Sequence, residues 1–202
     1  MRVRVAQTIS VTEAEGPGKR FAVWVQGCPL RCPECCNPEM LTFDGGQDVE
    51  VDQLVAEILD AREHGIEGVT LIGGEPFAHA APLALLAAEV RRAGLSVMVF
   101  SGYTLDELRQ KNNEAVDALL AETDILVDGR YDRTQPDTTR RWIGSLNQQL
   151  HFLSSRYSTD DPCWATPDTL EVRWDGRELI VNGFPAKPAV SMWRPLRMSG
   201  AE

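Results

Sequence analysis

The sequence predicts an α/β fold, and two observations support this prediction. Short apolar runs with the length of buried strands alternate along the chain with amphipathic segments that have the length of helices. Polar and glycine-containing turns separate these segments. Such alternation produces a mostly parallel sheet with helices outside it, either as a partial barrel or as an open doubly wound sheet. In both arrangements, functional groups gather at the carboxyl ends of the strands.

The first half of the chain supplies two strands and then a first helix-strand unit. Residues 2–8 and 21–25 are predicted strands on either side of a loop that contains Gly16-Pro17-Gly18. From Val51 onward, apolar residues recur at helical spacing and stop near Gly65. Residues 69–72 then form a short buried run, which predicts the next strand.

Two more helix-strand units follow. Residues 83–94 predict a helix and residues 95–100 a strand. Thr104 and Glu107 form a capping box, which begins one predicted helix reaching Leu120, and residues 125–127 predict another strand. The three units together make the alternating pattern of the predicted fold.

The rest of the chain predicts a loop, a strand and a small C-terminal hairpin. Residues 129–144 are polar and predict a surface loop, and residues 148–153 predict a strand. Two further strands, Leu170–Trp174 and residues 178–181, flank the turn residues 175–177. We therefore expect a core domain over residues 1–157 and a C-terminal extension with a β-hairpin over residues 158–202.

Composition narrows the class of protein. Hydrophobic residues make up 43% of the chain and charged residues 25%, which is ordinary for a globular domain. The net charge of -10 disfavours general nucleic-acid binding, because affinity for phosphate backbones comes from clustered Lys and Arg. The first ten residues lack a signal-peptide apolar stretch, and no run of about 18 apolar residues suggests a membrane span. We expect a cytoplasmic protein.

The cysteines predict a metal centre. Cys28, Cys32 and Cys35 follow a predicted strand at C-x-x-x-C-x-x-C spacing, and disulfides are rare in the cytosol. Three thiolates can hold a 4Fe-4S cluster with one iron left open, whereas structural zinc requires four ligands. The alternative is a zinc knuckle completed by Cys36, Cys163 or a histidine. We otherwise expect Cys36 to be a packed thiol and Cys163 a small buried apolar residue.

A second candidate site lies at the end of the strand predicted over residues 69–72. Gly73 and Gly74 permit a ligand to approach the backbone, and the Glu75 carboxylate can hold an ammonium group. The alternative interpretation is an ordinary strand-to-helix turn. The position of this turn, one helix-strand unit after the cysteines, favours a shared site.

Four other polar residues have weaker signals. His64 and His79 lie in or near predicted helices and His151 in a predicted strand, which favours surface or core roles over catalysis. Asp128 lies at a strand end, where a functional role and a loop cap are equally compatible with the sequence.

The cysteine triplet and the Gly73-Gly74-Glu75 turn, with the motifs around them, resemble those of the radical S-adenosylmethionine enzymes, and within them the glycyl-radical-enzyme activating enzymes. The resemblance covers roughly residues 2 to 153. It begins with the following motifs: Gly16-Pro17-Gly18, Arg20-Phe21, Gln26-Gly27-Cys28, Arg31-Cys32, Cys35 and Asn37. It continues with Gly73-Gly74-Glu75-Pro76, Ser101-Gly102-Tyr103-Thr104, Val127-Asp128-Gly129-Arg130, Gly144-Ser145 and Asn147-Gln148.

The resemblance implies a partial (βα) barrel with two cofactors, a 4Fe-4S cluster and S-adenosylmethionine. It also implies that one electron, from a donor such as flavodoxin or ferredoxin, cleaves S-adenosylmethionine, and that the resulting radical abstracts hydrogen from a glycine of a partner glycyl-radical enzyme such as anaerobic ribonucleotide reductase. The implied roles are as follows: Cys28, Cys32 and Cys35 as cluster ligands, Gly73, Gly74 and Glu75 as the site of the methionine amine, and Ser101 as a ribose contact.

Three positions depart from the family pattern. Glu34 and Cys36 stand where aromatic residues flank the third cysteine, and Ile143 replaces an expected arginine before Gly144. The tail over residues 162–202 contains three tryptophans, Trp164, Trp174 and Trp193, and has no counterpart in the compact reductase activases. Two further hypotheses therefore stand beside the activating enzyme: a radical enzyme that modifies a peptide or small molecule, and a non-enzymatic zinc or iron-sulfur module.

Overall fold

A seven-stranded mixed sheet organises the fold. The computed structural model describes residues 1–174 and 179–183. In chain order the strands are β1 (Arg2–Thr12), β2 (Arg20–Val25), β3 (Gln47–Glu50), β4 (Gly68–Gly73), β5 (Ser96–Phe100), β6 (Ile125–Asp128) and β7 (Gln149–Phe152). Their order across the sheet is β3-β1-β2-β4-β5-β6-β7. The central strands β2, β4, β5 and β6 run parallel to one another. Strands β1 and β7 run antiparallel to their neighbours β2 and β6, and the edge strand β3 runs antiparallel to β1. The predicted α/β class with a parallel core is confirmed.

Four helices pack on one face of this sheet. They are α1 (Val51–Ala61), α2 (Ala80–Arg92), α3 (Leu105–Gln110) and α4 (Glu114–Ala121). Their buried residues all belong to one apolar cluster, together with alternate residues of the strands such as Phe21, Val23 and Val25 of β2. Since strand side chains alternate between faces, this cluster lies on a single side of the sheet. In the described part of the chain, no α-helix packs on the opposite face, as a doubly wound sheet would require.

Two features differ from the sequence prediction. Strand β3 was not predicted, because its four residues are mostly polar and exposed. The single helix expected from Leu105 to Leu120 is two helices. Asn112 adopts a left-handed conformation with φ of 47° and breaks the first helix. The Asn113 side chain then accepts hydrogen bonds from the amides of Ala115 and Val116 and begins α4.

The second face of the sheet is covered by loops and by the C-terminal part of the chain. Met98, Ile125 and Val127 from β5 and β6 pack against the buried side chain of Trp142. Trp164 contacts Trp142 edge to face, with ring centroids 5.4 Å apart. Residues beyond β7 therefore pack against the same sheet as the core.

The edge strand β3 is strongly charged. The Arg2 guanidinium lies 2.5 Å from the carboxylate of Glu50, and Arg4 donates two hydrogen bonds of 2.9 Å to Asp48. These pairs are exposed and contribute little to stability. They pair the acidic side chains of the outermost strand β3 with the arginines of its neighbour β1.

Arg20 is completely buried at the amino ends of the parallel strands. Its guanidinium donates to the Thr70 hydroxyl at 2.7 Å, the Ser96 hydroxyl at 3.0 Å and the carbonyls of Val69 at 2.6 Å and Pro17 at 3.1 Å. Burial lowers the pKa of this arginine. The Arg20-Phe21 motif therefore has a structural role, since Arg20 joins three strands at the end of the sheet opposite the cysteines.

The predicted C-terminal hairpin contains two antiparallel strands, β8 (Leu170–Trp174) and β9 (Leu179–Gly183). The predicted turn residues 175–177 and Trp193 lie outside the described residues. The hairpin contacts the end of β1, where the Glu171 carboxylate accepts from the Thr12 hydroxyl at 2.7 Å. Asn182 donates to the Thr12 hydroxyl at 2.9 Å and to the buried Glu15 carboxylate at 3.2 Å.

The buried Glu15 carboxyl group should make the free energy of unfolding depend on pH. Burial raises the pKa of Glu15 to about 7, against the opposing effect of its hydrogen bond from Asn182. The folded state thus retains a proton that the unfolded state loses near pH 4.5. Stability from this group is highest below that pH and declines as the pH rises to about 7, by at most ~3 kcal/mol. We expect Glu15→Gln to flatten the fall in the free energy of unfolding, measured by urea denaturation from pH 4.5 to 7.

The neighbouring exposed residue Glu13 supplies the control for this measurement. Glu13→Gln makes the same substitution on an exposed side chain, and its slope of unfolding free energy against pH is compared with that of Glu15→Gln. An unchanged slope in Glu15→Gln would contradict the assignment of the slope to Glu15.

No helix among residues 1–174 and 179–183 is long and apolar enough to cross a membrane.

Candidate metal and cofactor site

The carboxyl ends of the parallel strands bring the predicted site residues to one edge of the sheet. Cys28 follows β2, Glu75 follows β4, and Ser101 follows β5. Because β2, β4 and β5 are neighbours in the sheet, their following loops are adjacent. The edge therefore combines three thiols, a glycine pair and a buried carboxyl group.

Gly73 and Gly74 allow two of these loops to touch through their backbones. The Gly74 amide donates to the Val25 carbonyl at 2.8 Å, and the Glu75 amide donates to the Gly27 carbonyl at 2.9 Å. A Cβ on Gly74 would lie 2.3 Å from the Gly27 carbonyl oxygen, and Gly73 has a φ of 104° that disfavours other residues. The glycines are thus required for the approach of the cysteine loop to the end of β4.

The Glu75 side chain ties the end of β4 to the end of β5. Its carboxylate is only 1% exposed and accepts hydrogen bonds from the Phe77 amide at 3.0 Å, the Ser101 hydroxyl at 2.9 Å and the Gly102 amide at 2.9 Å. Burial raises the pKa of Glu75 to about 7, and these hydrogen bonds oppose the rise. The residues predicted to hold the methionine amine and the ribose, Glu75 and Ser101, are therefore in direct contact with each other.

The three predicted ligands lie on one loop and differ in environment. Cys28 is buried, whereas Cys32 and Cys35 are partly exposed. Burial raises the pKa of the Cys28 and Cys32 thiols, and a hydrogen bond from Cys36 lowers that of Cys35. The Asn37 amide donates to the Cys35 sulfur at 3.4 Å. Amide bonds of this kind to sulfur stabilise thiolates and tune iron-sulfur clusters.

The remaining two cysteines differ from each other. The expectation that Cys36 is a packed thiol is wrong, because its side chain is exposed. Consecutive residues point in different directions in this loop, so Cys36 faces outward where Cys35 is half-buried. Cys163 is partly buried and packs against the cluster that contains Trp142, in line with the expected apolar role.

The number and type of the thiols suit a cluster. A zinc ion, with Zn–S distances of about 2.3 Å, needs ligands that converge on one point. A cluster of four irons is larger and accepts thiolates that stand further apart. The donor set and its sulfur-directed amides thus suit a 4Fe-4S cluster.

The loop after β6 closes against the cysteine loop. The Arg133 guanidinium pairs with the Glu34 carboxylate, and the Tyr131 amide is directed at the Cys32 sulfur. Glu34 has a φ of 55°, a left-handed conformation between Cys32 and Cys35. Glu34, a departure from the family pattern, therefore contacts another segment of the site edge.

Asp128 and two histidines have structural partners. The Asp128 carboxylate accepts from the Leu105 amide at 2.6 Å, at the start of α3, and lies 2.9 Å from Nε2 of His151. Of the two interpretations of Asp128, a functional residue or a loop cap, these contacts support the loop cap. His79 lies 2.8 Å from the backbone carbonyl of Gln26, next to the cysteine loop.

Sequence reasoning missed the role of Gln26. It was noted only as part of the Gln26-Gly27-Cys28 motif, although its side chain contacts the segment that follows the cysteines. The available signal was its place in the chain: a polar amide between the fully buried β2 and the first cysteine.

Comparison with known proteins adds evolutionary information to this geometry. Residues 14–151 match the family model described as "4Fe-4S single cluster domain". An anaerobic ribonucleoside-triphosphate reductase-activating protein of Salmonella typhimurium is 33% identical over 160 residues, which cover 75% of this chain and 99% of that protein. The chain belongs to this family of reductase-activating proteins.

Other reductase-activating proteins show the same extent of similarity. The one from Escherichia coli strain K12 is 31% identical and aligns with 73% of this chain and 97% of its own length. The one from Enterobacteria phage T4 is 27% identical, with 74% and 90% covered. About a quarter of this chain thus lies outside each alignment. The crystal structure of QueE from Escherichia coli matches 52% of this chain and 54% of its own, with 17% identity and a TM-score of 0.41.

Proposed function

We propose that this protein is a radical S-adenosylmethionine activating enzyme, which generates a glycyl radical on an anaerobic ribonucleotide reductase. The observation that carries the proposal is the contact between the cysteine loop and the Gly73-Gly74-Glu75 turn at the carboxyl edge of the sheet. Membership of the reductase-activating family supplies the substrate class.

Each residue of the edge has a role in this proposal. Cys28, Cys32 and Cys35 would hold the cluster, which would supply the single electron for cleavage of S-adenosylmethionine. Gly73 and Gly74 would place their half-buried backbone at the methionine-amine site, because the lack of side chains lets the cysteine loop pack directly against the end of β4. The Glu75 carboxylate already accepts three hydrogen bonds, so its main role is to hold the ends of β4 and β5 in position.

The proposal extends to the finer architecture. The sheet with helices on one face is compatible with a partial (βα) barrel. Residues 1–157 form the catalytic core in this proposal, with residues 158–202 as an extension. A donor such as flavodoxin or ferredoxin provides the electron, and the reducing cytoplasm is the compartment that keeps the thiols available.

The direct test is anaerobic. The full chain, reconstituted with iron and sulfide, is incubated with S-adenosylmethionine, a reductant and an anaerobic ribonucleotide reductase. We expect a glycyl radical signal by electron paramagnetic resonance on the reductase, together with 5′-deoxyadenosine. Omission of S-adenosylmethionine is the control. Failure to form either product with an intact cluster would contradict the proposal.

A second function is favoured by one observation, the C-terminal region beyond residue 151, where the match to the family model ends. This region contacts β1 through Glu171 and packs Trp164 beneath the sheet. A radical enzyme with a different peptide or small-molecule substrate would form 5′-deoxyadenosine and a modified product without a glycyl radical on the reductase. The same incubation, followed by product analysis, separates the two functions.

A further inference from the structure

The Gln26 side chain organises the segment that follows the cysteines. It is 5% exposed, and its Nε2 group donates to the carbonyls of Thr42 at 2.8 Å, Glu39 at 3.1 Å and Asp44 at 3.3 Å. Three converging carbonyl oxygens require a donor at this position, because a carbonyl can only accept. We call residues 39–44 the return segment.

The return segment in turn holds the backbone at the first cysteine. The Gly27 amide donates to the Met40 carbonyl at 2.9 Å, and the Cys28 amide donates to the Leu41 carbonyl at 3.1 Å. The Gln26 side chain and the amides of Gly27 and Cys28 therefore all donate to carbonyls of the return segment, which holds the backbone at the first cysteine.

His79 fixes the other side of Gln26. Its Nε2 lies 2.8 Å from the Gln26 backbone carbonyl, so Nε2 carries the hydrogen. Phe43 of the return segment covers Gly27 and lies 6.3 Å from the His79 ring, measured between centroids. Contacts therefore run from His79, in the turn before α2, to Gln26, and from Gln26 to the return segment.

We propose that Gln26 is a positioning residue for the cluster: it holds the return segment, which fixes the backbone of Cys28, and His79 holds Gln26. This inference rests on the proposed function. Residues behind metal ligands orient those ligands, and their loss typically costs 10–100-fold in metal affinity or activity. Gln26 acts through backbone geometry here, because its side chain donates to the backbone carbonyls of the return segment.

The test uses Gln26→Met, which keeps the length of the side chain and removes the amide donor. In the reconstituted full chain, we expect iron release to a chelator to be roughly 10-fold faster than in the wild type. In the protein without iron, exchange of the Gly27 and Cys28 amide hydrogens, measured by NMR, should accelerate by a similar factor. The reduced cluster should also show a broadened electron paramagnetic resonance spectrum.

Two further variants keep the test decisive. Gln53→Met makes the same change on the exposed face of α1 and should match the wild type in all three measurements. His79→Phe removes the hydrogen bond to Gln26 and retains a ring beside Phe43. It should release iron about 3-fold faster than the wild type. This variant is used in place of Gln26→Met if Gln26→Met does not fold.

The outcomes separate the two proposals. If Gln26→Met releases iron and exchanges its amide hydrogens at the wild-type rates, the positioning role is overturned. The same result in His79→Phe overturns it if Gln26→Met does not fold. Failure of the wild-type chain to bind iron and sulfide would instead overturn the proposed function. The measurements need no reductase, so a missing glycyl radical leaves the test of Gln26 intact.

Discussion

Replacement of any one of Cys28, Cys32 and Cys35 by serine is expected to abolish cluster binding and glycyl radical formation. Changes behind metal ligands already cost 10–100-fold, so loss of a ligand itself should reduce radical yield by more than roughly 100-fold. The three thiols share one loop, and a serine hydroxyl does not supply the soft thiolate that iron-sulfur clusters require. Iron and sulfide analysis, with radical quantification on the reductase, measures the effect.

The other two cysteines provide matched controls. Cys36 is exposed and Cys163 lies behind the second face of the sheet, away from the cysteine loop. Cys36→Ser and Cys163→Ser should retain the full iron and sulfide content. If Cys36→Ser lost the cluster while Cys35→Ser kept it, the assignment of the third ligand would be wrong.

Gly74→Ala is expected to have the second largest effect. The new Cβ would lie 2.3 Å from the Gly27 carbonyl oxygen and 2.8 Å from its carbon, and both are backbone atoms that cannot rotate away. Overpacking of this kind costs about 1–3 kcal/mol. A loss in that range should lower Tm by roughly 2–12 °C in a chain of this length. It should also reduce cluster content at least ~10-fold, because the cysteine loop is displaced.

Gly94→Ala is the control for this change. Gly94 has a φ of 85°, so alanine there is strained, but no atom lies within 4 Å of its Cβ position. Thermal unfolding should show a loss of about 1 kcal/mol, with normal cluster content. Equal cluster content in Gly74→Ala and Gly94→Ala would show that close contact between the loops is not needed.

Much of the fold follows from local patterns. The apolar runs of β2, β4, β5 and β6 were predicted because buried parallel strands are continuous apolar segments. The split between α3 and α4 was not, because Leu108 and Val116 are eight residues apart, a spacing that also fits one helix, although residues 109–114 between them are polar. Strand β3 was missed for the opposite reason: its stability comes from pairing with β1, which a polar sequence of four residues does not reveal.

The site was predictable where its chemistry lies in residue type and spacing. The thiol triplet and the glycine pair are visible in the sequence, and the structure brings their loops into contact. The contacts of Gln26 and Glu75 were not visible, because they depend on which backbone groups a buried side chain meets. The exposure of Cys36 and the pairing of Glu34 with Arg133 likewise depend on loop geometry.

The charged strand β3 has a consequence for handling the protein. An open sheet exposes unpaired backbone groups at its edges, and these groups can pair with another molecule's edge. The carboxylates of Asp48 and Glu50 lie on this edge strand and pair with Arg4 and Arg2 of β1, and an incoming strand would have to desolvate these charged side chains. Self-association along β3 is therefore disfavoured even at the high concentrations that spectroscopy of an iron-sulfur protein requires.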